Sequence, residues 1–481
     1  MRRLSMLAAF GLLLTLVTGA NPTVSSSSAA AQETTAQQRI AGAKNVILFV
    51  GDGMGLSTVT AARIMEGQLA GGHGEGNELS FELFPEVGLS QVYSVNFQVP
   101  DSAATITALM SAAKTNNGLV NVNRHGVRRN CSTLAGNELT SWFMAAEDLG
   151  LATGVVTTAR LTHATPAGAY AVSIERLFEA DVDVPGGCSQ ADIARQLIEF
   201  PHGDGIEVAL GGGRRNFTPN SVTDPEVTTL KGRRADGRDL TAEWSARPDA
   251  TYVWNKAQFD AVDLGTTNHL LGLFNRSHME YEFDRADDIG GEPSLTEMTE
   301  MAITMLSRDA DGFALVVEAA RIDHAHHGTN ANRALRDTIE LSNAVASAVA
   351  MVDTSETLIV VTADHSQSLV ISGYPSRGND ILGLADGVVG SDGLPYTTLN
   401  YSTGPEQYVK SNGSRVDLNG VDVTNPNFKQ PALVPRTVAA HSGEDVPIYS
   451  IGPRSKLLGR VLGQARIGRV ILTALQLFRG A

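Results

Sequence analysis

The chain has no excess of basic charge. Its 481 residues carry 37 Lys and Arg against 52 Asp and Glu, a formal net charge of −15. A duplex nucleic-acid binder needs a basic face, so that class is excluded. A small anionic substrate is not, because bound metal ions can reverse the sign of the field inside a pocket. Cysteine is scarce, with two, Cys131 and Cys188. Whether they pair or stay separate thiols is open from sequence alone. Long apolar runs are absent after the first residues. Leu7 to Ala20 is too short to span a membrane, and arginines interrupt the apolar tail Ile467 to Ala481. No solenoid-type repeat appears. With 42% hydrophobic and 19% charged residues, the composition is that of an ordinary soluble protein, long enough for one large domain or a few smaller ones.

The start of the chain reads as a targeting segment. MRR is a basic n-region, Leu7 to Ala20 an apolar h-region, and cleavage is expected after Ala20 or Ala31. Residues 1–31 are thus a signal peptide and leader, and the product is exported, to a periplasm or to the extracellular space. The fold is expected over residues 40–481.

Apolar runs alternate with helical segments. Val46–Val50, Gly154–Thr158, Val208–Leu210, Phe313–Val317, Leu358–Val361 and Val446–Ile451 read as buried strands. Leu56–Leu69, Ala103–Ala113 and Asn332–Val352 read as helices. The expected class is α/β, a three-layer sandwich around a largely parallel sheet. Residues 218–250 are turn-rich and resist assignment, and residues 373–435 read as a loop-rich insertion.

Carboxylates and imidazoles recur where those strands end. VILFV runs into GDGMG with Asp52, LIVV into TADHS with Asp364 and His365, and FALVV into EAARIDHAHHG. The last stretch holds Glu318, Asp323, His324, His326 and His327, and Asp323 and His327 stand at i and i+4, on one side of a helical turn. His163 and Thr165 follow a fourth strand, and His441 precedes a fifth. In open α/β sheets that edge is where ligands bind. Buried charges need pairing or coordination. Imidazole with carboxylate suits zinc, and carboxylates with a hydroxyl suit magnesium. No cysteine lies in the set, which argues against an iron–sulfur or purely structural zinc centre. The set is too rich for one ion. Two ions about 4 Å apart would clamp the attacking and leaving oxygens of an in-line displacement. Ser102, after Asp101 at a helix start, supplies a nucleophile, and Arg176 a bidentate fork for phosphoryl oxygens. The residues point to metal-assisted phosphoryl transfer through a covalent serine intermediate.

GDGMG, PDSAAT, THATPAG, VEAARIDHAHHG, TADHS and HSGEDV, in this order, resemble the alkaline phosphatases, closest to the animal-type branch, over roughly Lys44 to Pro453. The resemblance implies hydrolysis of phosphate monoesters by a homodimer with two zinc ions and one magnesium ion. It implies zinc at Asp323, His327 and His441, a second zinc at Asp364, His365 and Asp52, and magnesium at Asp52, Thr165 and Glu318. Ser102 would be the nucleophile and Arg176 the phosphoryl clamp, with Asp101, His163 and His324 lining the pocket. In the enterobacterial branch the places of His163 and His324 are Asp and Lys, a departure that bears on the third ion. His326 has no family role and reads as a surface or packing residue. Residues 373–435 would be the family's crown insert. The animal-type branch further implies a calcium site at Glu226, the Phe274 backbone, Asn275 and Glu292, with Asn275 in place of an acid, and a bridge between Cys131 and Cys188.

The rivals are a phosphodiesterase, a sulfatase or a cofactor-independent phosphoglycerate mutase of the same superfamily, or an exported phosphate or metal binder without turnover. Ala-Ala-Thr-Ile after Ser102 lacks the sulfatase signature, and a nucleophile beside a full ligand set argues against a mere binder.

Overall fold

The computed structural model describes residues 42–479, so the signal-peptide expectation lies outside the described residues. Fifteen strands are described: β1 (Asn45–Gly51), β2 (Glu86–Gln91), β3 (Ala152–Arg160), β4 (Val208–Gly212), β5 (Ala250–Val253), β6 (His269–Leu273), β7 (Phe313–Ala319), β8 (Thr357–Ala363), β9 (Ser366–Gln367), β10 (Leu369–Ile371), β11 (Leu399–Gly404), β12 (Ala432–Pro435), β13 (His441–Ser442), β14 (Val446–Ile451) and β15 (Val461–Gly463). Ten of them form one sheet in the order β15-β2-β14-β8-β1-β7-β3-β4-β6-β5. β14 runs antiparallel to both neighbours, and every other adjacent pair is parallel.

The expected α/β class with a central, largely parallel sheet is what the chain adopts. The reason is visible along β1. Ile47 and Phe49 belong to one core, Val46, Leu48 and Val50 to another. Side chains alternate across a strand, so a continuous apolar run feeds both faces and demands a helical layer on each. On one face lie Leu56–Leu69, Leu295–Leu306 and Ala331–Met351, the last of these the expected amphipathic helix. On the other lie Ser102–Ser111, Trp142–Asp148 and Ala465–Arg479. The serine helix ends two residues before its expected limit, because Ala112 turns left-handed (φ 54).

Within residues 373–435 most of the chain is turn. Its strands, β11 and β12, form a small sheet with β10 just before the segment, and this sheet lies against the residues following the Arg321–His327 helix. The approach is close at Gly404, where a Cβ would stand 2.4 Å from Thr329 Cγ2. Residues 218–250 hold one short helix, Leu240–Ser245.

Cys131 and Cys188 form a disulfide, which resolves what the sequence left open. They pack against the small cluster Leu119, Val122, Ile174 and Phe178. In the chain-entropy model a link across 57 positions contributes about 4 kcal/mol.

At the amino ends of the strands, away from the site described below, two carboxyls share Thr153. Glu147 Oε1 accepts from Thr153 Oγ1, and Glu207 Oε2 accepts from Thr153 N at 2.6 Å. Burial pushes Glu147 up to about 7 and, with the Glu147 charge added, Glu207 up to about 9. Both therefore hold protons in the fold that an unfolded chain releases near pH ~4.3. The folded state binds more protons, so stability falls as pH rises from about 4.3, levelling off only above about 9. Glu207→Gln should raise Tm relative to the parent at about pH 9 and change it little at about pH 5. Calorimetry showing parallel Tm profiles for the two proteins would refute this.

Candidate active site

Three strand ends at the centre of the sheet deliver the chemistry. β1 and β7, and β1 and β8, are paired in register, Val50 with Glu318 and Gly51 with Ala363. Asp52, Glu318 and Asp364 therefore arrive side by side. Gly53 makes the turn after Asp52 with φ +69, and its N–H donates to Asp364 Oδ1 at 3.1 Å. A Cβ there would sit 2.9 Å from Gln367 Cγ, so glycine is required twice over.

Asp323 and His327 meet as the i, i+4 spacing requires, with His327 Nε2 3.1 Å from Asp323 Oδ2. His441 comes from far along the chain and places Nε2 3.6 Å from Asp323 Oδ1 and 3.3 Å from His327 Nε2. His365 Nε2 lies 3.3 Å from Asp364 Oδ2 and 3.4 Å from Asp52 Oδ1, and its ring stacks on His441 at 3.6 Å. The backs of these rings matter as much. Nδ1 of His327 lies 2.6 Å from Ala439 O, Nδ1 of His441 2.9 Å from Pro100 O, and Nδ1 of His365 3.3 Å from Ser366 O. A carbonyl oxygen only accepts, so each Nδ1 carries a proton, and Nε2 is left as the atom that can give its lone pair to a cation in place of the proton His327 shares with Asp323. That is the tautomer a metal ligand needs.

The carboxylates show the same demand. Both oxygens of Asp52, Oε1 of Glu318 and Oγ1 of Thr165 are buried without a hydrogen-bond partner among the described residues. Burial, then the charges of Asp364, Asp323 and Glu318, holds Asp52 well above the usual carboxylate range. Burial raises Glu318 to about 8 despite the 2.5 Å hydrogen bond from Thr157. Burial works against the charge on Asp323, but His327 overcomes it and pulls the acid well down. The same pairing, also against burial, raises His327 to about 9. A divalent cation would relieve all of these strains at once. Three groups of ligand atoms lie within 4.8 Å of one another: Asp323, His327 and His441; Asp52, Asp364 and His365; and Asp52, His163 and Glu318. The donor set, imidazole nitrogens with carboxylate oxygens, fits bound divalent metal ions.

Ser102 opens its helix with Asp101 as N-cap, accepting from Ala104 N at 3.1 Å. Its Oγ stands 3.2 Å from His365 Nε2, at the free N–H groups of the first turn. Arg176 reaches the same place. Its Nη1 donates to Asp101 Oδ2 at 3.2 Å, and its Nη2 lies 3.3 Å from His163 Nε2. Of five guanidinium donors these use two, leaving one on each terminal nitrogen. Arg176 is held from behind, where the neighbouring Glu175 carboxylate takes Arg128 at 2.8 Å and Arg129 at 2.6 Å.

His324 and His163 sit on the flank, joined by a residue the sequence did not single out. His278 packs its ring 4.2 Å from His324 and 5.5 Å from His163. Nothing local in Ser-His-Met-Glu marks it. His326, read as surface or packing, is a packing residue, with 0% of its surface exposed. Its Nε2 is 3.0 Å from Thr58 Oγ1 and its Nδ1 2.7 Å from Tyr401 Oη. It thereby ties the Arg321–His327 helix to the helix after Asp52 and to β11.

The residues expected at the calcium site are tied to one another and to their neighbours. Asn275 donates its amide to Glu292 Oε1 at 2.9 Å, Glu280 N donates to Glu292 Oε2 at 2.8 Å, and Arg214 Nη2 donates to Glu226 Oε2 at 2.6 Å.

Fold and site together define a metal-dependent enzyme built on the carboxyl edge of an α/β sheet, with a serine hydroxyl facing the candidate ligands. Residues 43–477 match the family model "Alkaline phosphatase". The chain is 44% identical over 429 residues to the tissue-nonspecific alkaline phosphatase of Gallus gallus, covering 86% of this chain and 81% of that one. It is 42% identical over 426 residues to an alkaline phosphatase of Gadus morhua, covering 86% and 88%. The solved alkaline phosphatase of Thermus thermophilus superposes with TM-score 0.64 at 25% identity, over 92% of this chain and 93% of that one. The protein belongs to the alkaline phosphatase family, and is a hydrolase of phosphate monoesters.

Because bound cations stabilise only the folded cluster, a chelator should lower Tm, and zinc with magnesium should restore it, each site adding RT ln(1 + [L]/Kd) to the free energy of unfolding. A Tm indifferent to both treatments would rule out a metal centre here.

Proposed function

We propose that Ser102 carries the phosphoryl group and that Arg176 grips it during hydrolysis of phosphate monoesters. The observation that carries this is the position of Ser102 Oγ, 3.2 Å from His365 Nε2 at a helix N-terminus that ends among unpartnered carboxylates. Asp323, His327 and His441 would hold one zinc ion and Asp52, Asp364 and His365 the other, with magnesium at Asp52, Thr165 and Glu318 beside His163. When bound, these ions supply the charge that makes a serine hydroxyl and a water nucleophilic at moderate pH and that neutralises a departing alkoxide.

The chain's own residues do the rest. Ser102 Oγ forms the bond to phosphorus in line with the leaving alcohol oxygen, whose bond to phosphorus breaks. Arg176 binds two of the non-bridging oxygens, while Asp101 and His163 keep its plane fixed. Water then opens the phosphoserine, returning the serine proton and releasing inorganic phosphate. His324, driven down to about 3 by burial and the Arg321 charge, stays neutral and lines the flank.

The remaining assignments are part of the same proposal. Calcium at Glu226, Phe274, Asn275 and Glu292 would require Asn275 to turn its amide oxygen toward the ion. Residues 373–435 fit a crown insertion. Exposed Tyr93, Phe97 and Val99, with Leu433, Val434 and Val438 on the segment leading to His441, fit a homodimer interface. Export, with cleavage after Ala20 or Ala31, suits the disulfide between Cys131 and Cys188.

Ser102→Ala should abolish the phosphoenzyme that labelled phosphate leaves on the wild type at acid pH; serine-linked label persisting in the variant would refute the nucleophile. Arg176→Ala and Arg176→Lys should both weaken phosphate inhibition by about 1.5–3 kcal/mol, because lysine offers a point charge and no fork. Zinc content should be unchanged in both. Wild-type phosphate affinity in a folded, zinc-loaded Arg176→Ala protein would remove Arg176 from the clamp.

A further inference from the structure

One imidazole beside the phosphoryl site has no part in the chemistry above. His278 lies past the end of β6, and its segment is pinned to β3, with Met279 N donating to Thr158 O at 3.1 Å. Its ring packs edge-on against His324 at 4.2 Å and His163 at 5.5 Å, and those two stand 5.6 Å apart. The three rings close a triangle of edge-to-face contacts. Each also faces a guanidinium. Arg160 Nη1 meets His278 Nε2, Arg176 Nη2 lies 3.3 Å from His163 Nε2, and Arg321 Nη1 lies 3.2 Å from His324 Nδ1. A guanidinium only donates, so each of these ring nitrogens accepts and each ring is neutral. Burial acts in the same direction, holding His163 well below the ordinary imidazole range and His324 at about 3. With its Nε2 lone pair given to Arg160, His278 is no metal ligand, and among the described residues it belongs to none of the three ligand groups.

The triangle is anchored at one corner and loose at another. Glu179 clamps Arg160 through Nε and Nη2 at 2.7 Å each, and also accepts from Thr162 Oγ1 at 2.6 Å and Asn216 Nδ2 at 3.0 Å. That network fixes the Arg160 guanidinium plane and aims Nη1 at His278. His163 has nothing comparable. Its backbone is set, with His163 N donating to Arg160 O at 2.8 Å. Its Nδ1, however, is buried without a hydrogen-bond partner among the described residues, and its one side-chain hydrogen bond is that from Arg176. The plane of its ring is therefore decided by the rings packed on it. Arg176 in turn is held by two side-chain contacts, Asp101 and His163. Two contacts define a guanidinium plane, and one alone lets it swing.

We infer that His278 is a positioning residue for the phosphoryl clamp: it links the anchored Arg160–Glu179 pair to the ring of His163 and so secures the second contact of Arg176. The inference rests on the reading of Arg176 as that clamp.

The test measures inorganic phosphate affinity by titration calorimetry, and KM and kcat for p-nitrophenyl phosphate, on metal-loaded protein. The proteins are the wild type, His278→Ala, His278→Gln, Arg176→Ala, and Arg176→Ala combined with each His278 substitution. Either substitution at His278 should weaken phosphate binding and raise KM about tenfold, with kcat changed less, the scale of one hydrogen bond to a charged group. Zinc content should be unchanged. In the Arg176→Ala background the same substitutions should leave phosphate affinity where Arg176→Ala put it, because no clamp remains to position. Additive losses would show that His278 acts on phosphate by another route and would overturn the inference. Wild-type phosphate affinity in a folded His278 variant would overturn it as well. Should His278→Ala not fold, His278→Gln, which keeps an acceptor for Arg160, carries the test. Wild-type phosphate affinity in Arg176→Ala alone would instead defeat the clamp reading, and this inference with it.

Discussion

The constraint on which the structure turns is the mutual repulsion of Asp52, Glu318, Asp323 and Asp364, gathered out of water at one edge of a sheet. In a medium that screens poorly, four such groups cannot all ionise without opposing charge. The protein answers part of the demand itself, as Asp323 takes His327 and His441. It leaves Asp52 with His365 alone, at 3.4 Å, and no hydrogen bond to either oxygen among the described residues. That residual demand is what makes the edge a metal centre and sets a serine hydroxyl beside it.

Much of the surrounding fold holds this arrangement in place. Three imidazoles are locked in one tautomer by backbone carbonyls drawn from three different segments, Pro100, Ser366 and Ala439. The small sheet of β10 to β12 reaches the centre through Tyr401 and His326, and Thr403 Oγ1 accepts from Ala440 N just before His441. The disulfide and the Arg128–Glu175–Arg129 cluster do the same for Arg176. Precision at the reacting groups is bought from groups that never touch substrate.

The same edge grades from anionic to cationic along the strand order. Carboxylates lie over β8, β1 and β7, neutral imidazoles over β7 and β3, and guanidiniums over β3, β4 and β6. The gradient exists only because consecutive loops of a parallel sheet open on one side.

What the sequence by itself determined was the layered class, the strand exits and the ligand types. Apolar runs such as Val46–Val50 must be covered on both faces, and glycine, aspartate and histidine at their ends have no apolar role to play there. Asp323 and His327 were legible as a pair because four residues make about one helical turn. Only the tertiary structure decided the pairings between distant segments. His441 joins Asp323 across 118 positions, His278 meets Arg160 across the same number, and His326 finds Thr58 and Tyr401 on two other elements. The place of His278 between His163 and His324 was equally invisible. Local pattern records what a residue avoids, namely water or its absence. Which group it meets depends on strand order and loop direction, and those are properties of the packed sheet.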